Sequence, residues 1–196
     1  MPDRHRVLGL VALAFYFLHA AYFVYHLRPS NLFWGCHMAA LGVGTGLLLK
    51  KPSFNAMGVI ALTWGVPMWL FEVARGGEFL PTSMGTHIGG LALGLLGVYW
   101  LGLPRYTWVK VSAFTLGLLV LCRLITLEKE NVNLAFGPPP GFEESFPPYP
   151  WFGAIVLTAC TATFVPAELI WRRVFGLSPR GGGIPVPRDA SRSVDV

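Results

Sequence analysis

Six stretches of this chain run for 18 or more residues with hardly a charge: about 7–27, 32–49, 54–71, 84–101, 106–127 and 151–174. An α-helix rises 1.5 Å per residue, so about 20 such residues cross the roughly 30 Å hydrocarbon core of a bilayer. Hydrocarbon cannot satisfy exposed backbone groups, which leaves helices and closed barrels as the only spanning structures. Continuous apolar runs of this length belong to helices. Charged residues make up 13% of the chain, about half the share usual in soluble domains. The expected fold is therefore all-α: a polytopic membrane protein with six transmembrane helices in residues 1–177. The first run has Arg4 and Arg6 ahead of it, as a signal peptide would. It is longer than the roughly 7–15 residues of a signal core and lacks an A-x-A cleavage site, so it reads as a retained helix.

Lys and Arg give the orientation. With the N-terminus inside, the inner side holds Arg4, Arg6, Lys50, Lys51, Arg105, Lys110, Arg172, Arg173, Arg180, Arg188 and Arg192, and the outer side only Arg28, Arg75 and Lys129. Eleven against three is a positive-inside bias that places both termini in the cytoplasm and the protein in the cell membrane. Residues 178–196, rich in Gly, Pro and Ser, are expected to be a disordered cytoplasmic tail. The net charge of +5 is scattered between apolar runs and does not form a nucleic-acid surface. Three cysteines without a CxxC pair make neither a disulfide framework nor a structural zinc site. The connection at 128–150 contains six prolines together with Phe136, Phe142, Phe146 and Tyr149. It is either a functional cover or an interfacial aromatic anchor.

Depth sorts the polar residues. Cys36 and His37 open the second span about 6–8 Å below its outer end, and His87 opens the fourth at similar depth. His26 and Glu72 sit at the outer ends of spans one and three. Arg123 lies four residues before the outer end of span five, and Asn131 and Asn133 follow in the outer loop. Reactive chemistry thus gathers in one leaflet, with Glu168 the main exception. The face of His87 continues through Gly90, Leu91 and Gly94. That of Cys36 continues through Ala39, Ala40 and Val43, and that of His37 through Ala40, Leu41 and Gly44. Small residues mark faces packed against other helices, and an ionisable group on such a face is a functional candidate. His19 and His26, two turns apart, share a face with Tyr22. Cys122 is a possible disulfide partner for Cys36, and Cys160 reads as a small hydrophobe.

Thiolate attack needs a cysteine, a base and oxyanion donors. Cys36 supplies the nucleophile in this reading and His87 the base, with His37 beside them. Arg123, Asn133, Glu72 and His26 are candidate substrate contacts. The chemistry expected is acyl transfer or ester cleavage on a membrane lipid, with no cofactor. The motifs "NLFWGCH", "SMGTHIGG" and "NVNLAFGPPP…PPYPWF" resemble the YwaF-type integral membrane proteins across roughly residues 31–152. That family has animal relatives that are cysteine-dependent phospholipid acyltransferases, and more distant relatives that are intramembrane threonine-histidine hydrolases of fatty-acid esters. The resemblance implies Cys36 as the acyl-carrying nucleophile, His87 as its partner and Asn133 near the site. This chain departs from the pattern in having Trp34 and Gly35 before the cysteine, so either Cys36 or His37 holds the active position. Two other classes stay open: a non-catalytic lipid or small-molecule binding or transport protein, and a haem or metal protein using some of His19, His26, His37 and His87.

Overall fold

A computed structural model describes residues 3–177 of the chain; the tail expected over 178–196 lies outside the described residues. The fold is all-helical, with no strand among the described residues. Six helices follow in order: α1 (Arg4–Tyr25), α2 (Gly35–Leu48), α3 (Pro52–Ala74), α4 (Pro81–Leu101), α5 (Thr107–Ile125) and α6 (Trp151–Val174). Five of them are long and apolar enough to cross a membrane. The exception is α2. Of the expected 32–49 run, residues up to Phe33 belong to a 3-10 turn, Pro29–Phe33, and only 14 residues remain α-helical. Its length of about 21 Å falls short of the roughly 30 Å core. The fourth helix starts three residues earlier than expected, because Pro81 needs no intrahelical partner for its missing N–H.

Contacts at the two ends define the topology. At one end Lys50, after α2, pairs with Asp3, the N-cap of α1, at 2.6 Å. Lys110 of α5 reaches Ser53 of α3 at 3.1 Å there. Buried Arg172 of α6 donates to Leu103 O at 3.0 Å and to Glu168 at 2.9 Å, while Glu168 accepts the Trp108 N–H of α5 at 2.8 Å. We call this the basic pole. At the other end, the loop pole, Glu78 accepts from Tyr22 and Arg28, and Asn133 bonds the start of α2. Successive helices therefore alternate in direction.

The centre of the bundle is α3. Gly58 on its inner face lets α2 approach so closely that an added Cβ would strike the Ala39 carbonyl. Asn55 crosses to α4, donating to Gly94 O at 2.9 Å, and Gly97 leaves the room for it. On the opposite face Ile60 packs with Val111, Phe164 and Ala167 of α5 and α6. Trp171 Nε1 donates to Thr63 at 2.8 Å. Large apolar side chains, Leu10, Phe17, Leu18, Leu116, Leu169 and Ile170 among them, stay exposed on the outer faces of α1, α5 and α6. An apolar belt around an interior that holds the polar groups is the pattern hydrocarbon surroundings call for.

Candidate functional site: buried histidines at the loop pole

The first half of α4 is not a regular helix. Gly85–Gly89, "GTHIG", forms a π-turn, one residue longer than an α-turn, and carries His87. Such single-turn bulges inside α-helices are frequent at functional sites. The flanking glycines have a second purpose. A Cβ on Gly85 or Gly89 would lie 2.9 Å or 2.7 Å from the Phe15 ring of α1, so Phe15 beds between them. One turn further along α1, that close approach brings His19 against α4.

Three imidazoles meet there: His19, His37 and His87, only 2%, 5% and 3% exposed. Their hydrogen bonds fix the tautomers of two of them outright. His37 Nδ1 lies 2.8 Å from the Asn31 carbonyl, which can only accept, so Nδ1 carries the proton. In the neutral ring Nε2 is then an acceptor. His19 Nε2, 3.0 Å away, donates to it. His19 Nδ1 is in turn an acceptor, filled by the Thr82 hydroxyl at 2.8 Å. The chain Thr82 to His19 to His37 to Asn31 is fully satisfied. His87 differs. Its Nδ1–H donates to Ser83 O at 2.9 Å, and Nε2 has no partner among the described residues. Trp69 of α3 stacks on its ring at 4.9 Å and 15°, and the His37 ring lies 6.0 Å away, edge to face. A histidine with Nδ1–H tethered and Nε2 open has the form of a general base.

The other expected site residues sort into three places. Cys36, half-buried, points to α3, where a Cβ on Gly65 would be 3.3 Å from its Sγ; Gly65 lies one turn below Trp69. No hydrogen bond joins Cys36 to a histidine among the described residues, and Cys36, Cys122 and Cys160 are all free thiols. Asn133 stitches the long loop to the start of α2. Its Oδ1 accepts the Gly35 N–H at 2.7 Å, and its Nδ2 donates to Phe33 O at 2.6 Å and Cys122 Sγ at 3.2 Å. Arg123 holds the same loop, donating to Ala135 O at 2.9 Å with Tyr149 over its guanidinium at 4.1 Å. Asn131 closes a tight turn within it by binding Gly137 O and the Phe136 N–H. Glu72 and His26 are exposed at the loop pole. His26 borders a cleft of about 450 Å³ with Leu27, Arg28, Asn31, Lys129 and Glu130. The carbonyl of Asn31 is the one that binds His37.

Sequence reasoning grouped His19 with His26; the structure turns His19 inward to His37 instead. Depth was a partial signal: His19 and His87 each lie six residues from the loop-pole end of their helices, whereas His37 lies two residues into α2. Sequence reasoning missed Trp69 and Thr82, and reached Asn31 only as the first residue of the NLFWGCH motif. Among the described residues no group of three or more His, Cys, Asp or Glu side chains is arranged to hold a metal ion.

Fold and site together define an all-helical bundle, largely of membrane-spanning dimensions, built around a cluster of buried imidazoles. Comparison with family models, with curated proteins and with solved structures yields no match for this chain.

Proposed function

We propose that this is a six-span cell-membrane protein, both termini cytoplasmic, that transfers or hydrolyses an acyl ester of a membrane lipid near the outer leaflet. The observation that carries the reading is His87: buried on a π-turn, Nδ1–H fixed by Ser83, Nε2 open. In this scheme Cys36 Sγ attacks the ester carbonyl while its proton passes to His87 Nε2. The proton then leaves with the departing alcohol, and a thioester remains on Cys36. Water or a second alcohol, deprotonated by the same Nε2, cleaves the thioester and returns the proton to sulfur. Cys36 packs at Gly65 and His87 on Trp69, one turn apart on α3, so both side chains lie against the same helix. Asp3 at the start of α1 and Arg172 near the end of α6 both fall at the basic pole, and the Lys/Arg count supports putting that pole inside. The resemblance to YwaF-type proteins supports the same pair of residues. For α2 the crossing is completed by the turn at Pro29–Phe33 and local thinning of the bilayer.

Intact mass of the purified protein in phospholipid nanodiscs tests this. The wild type gains a fatty-acyl adduct that hydroxylamine removes, or consumes phospholipid ester, while Cys36→Ser and His87→Gln do neither. A wild type that neither gains an adduct nor consumes ester refutes the proposal.

A further inference from the structure

The chain formed by Thr82, His19, His37 and the Asn31 carbonyl has a property that the ester chemistry does not use. Its two ends are unequal. At the Asn31 end a carbonyl can only accept, so His37 Nδ1–H never reverses. At the other end Thr82, half-buried in the first turn of α4, has a hydroxyl that both donates and accepts. We infer that Thr82, His19 and His37 form a binding site for one proton, entered at Thr82 and occupied at His37.

The protons balance as follows. A proton reaching Thr82 Oγ1 releases the hydroxyl proton to His19 Nδ1. His19 then passes its Nε2 proton to His37 Nε2. Thr82 remains a hydroxyl and His19 a neutral imidazole with its proton now on Nδ1, while His37 becomes imidazolium. No hydrogen bond is lost: Thr82 now accepts from His19 Nδ1–H, His19 Nε2 accepts from His37 Nε2–H, and Asn31 still accepts from Nδ1–H. A second proton has nowhere to go, because it would set two N–H groups against each other across 3.0 Å.

What selects His37 over His19 is its acceptor, a carbonyl fixed at 2.8 Å from Nδ1 where His19 has only a hydroxyl; the Phe23 ring faces both, 4.8 Å from His19 and 5.5 Å from His37. Other titratable groups nearby are His87 on α4, whose Nδ1–H is committed to Ser83, Cys36 on the adjoining face of α2, and exposed Glu72 on α3. Tyr22 on α1 is bonded outward to Glu78. No ion pair among the described residues reaches the trio. The site is independent of whether Cys36 and His87 process an ester.

Solid-state NMR of protein carrying ¹⁵N-labelled histidine, in phospholipid nanodiscs, reads it directly. At neutral pH His19 is the Nε2–H tautomer and His37 the Nδ1–H tautomer, with a scalar coupling across the Nε2–H···Nε2 bond. On acidification the trio takes up one proton, the imidazolium appears at His37, and the coupling persists. Thr82→Ser behaves as wild type. Thr82→Val retains the neutral-pH coupling but binds the proton about tenfold more weakly: both states lose the bond to His19 Nδ1, and the loss is greater where that bond is polarised by the charge on His37. Independent titration of the two rings, an imidazolium first at His19, absence of the coupling, or Thr82→Val matching wild type overturns the inference. If Thr82→Val does not assemble, the position of the wild-type imidazolium decides.

Discussion

Replacing Asn133 is expected to loosen the segment that presents Cys36 and His37, by an amount that can be worked out bond by bond. The N-cap residue of α2, Trp34, makes no side-chain cap, and Asn133 supplies that function from 98 positions away in the chain. Loss of its Oδ1 removes a cap worth about 1 kcal/mol. Loss of its Nδ2 leaves the Phe33 carbonyl only a weak 4.0 Å bond from the Cys122 thiol, which costs about 1–3 kcal/mol where water cannot replace the donor. Asn133→Gly, which keeps the backbone comfortable at φ 57°, is thus expected to cost about 2–4 kcal/mol. Asn133→Ala adds about 1 kcal/mol, because a Cβ disfavours that left-handed conformation. Asn133→Asp retains the acceptor and falls between wild type and glycine. At about 2–4 °C per kcal/mol for a chain of this size, Asn133→Gly lowers Tm by about 4–16 °C. Thermal unfolding in nanodiscs by far-ultraviolet circular dichroism measures it, and maleimide labelling of Cys36 should accelerate in step. A Tm within about 2 °C of wild type for the glycine variant, or an aspartate variant worse than alanine, refutes the account of Asn133 as a remote cap.

Other substitutions probe the packing and the basic pole. Gly58→Ala is expected to destabilise by at least about 3 kcal/mol, since its Cβ meets backbone of α2 that cannot step aside, whereas Gly117→Ala, with open space around it, should gain about 1 kcal/mol; unfolding of both variants side by side checks the contrast. Arg172→Met leaves Glu168 charged and buried and should cost about 3–5 kcal/mol, while the double variant with Glu168→Met costs less than the sum, a result a thermodynamic cycle reads. The hydrogen bond from Lys50 holds the Asp3 carboxyl below its ordinary value of 3.8. A folded-state value below the unfolded one adds stability that is present in full above about pH 5 and lost as pH falls through the folded value. Asp3→Asn keeps the cap and loses the charge, so its Tm should trail wild type at pH 7 and the gap should close as pH falls below 3.8 through the folded-state value.

The helices were legible because burial in hydrocarbon is recorded as uninterrupted apolar length, and the glycine faces because close approach tolerates nothing larger. Gly90 and Gly94, read as a packing face, do meet Ala40, Leu62, Val43 and Val59. The site was legible only in depth. His37 and His87 stood out as polar residues at one level, but rotation about each helix axis decides which residues touch, and a sequence carries rotation weakly. His19 illustrates this. Nothing local distinguishes a ring facing His26 from one facing α2; the difference comes from Phe15 seating between Gly85 and Gly89. The shortening of α2 was equally hidden, since the residues before Gly35 are apolar enough to continue a helix and are diverted by Pro29 and by the bonds to Asn133.

The π-turn at Gly85–Gly89 has one more consequence. It divides α4 into two stretches whose angular settings are independent. Below it, Gly90 to Gly97 are indexed to α2 and α3 by steric fit; above and within it, Thr82, Ser83 and His87 are indexed to the chemistry at the loop pole. Deleting one residue from the bulge would restore an ordinary helix and turn the upper stretch by about 100° while the lower one stayed seated. His87 would then swing out of the cluster with the bundle intact. The helix thus contains its own point of re-registration, where a single codon gained or lost separates a scaffold from what the scaffold displays.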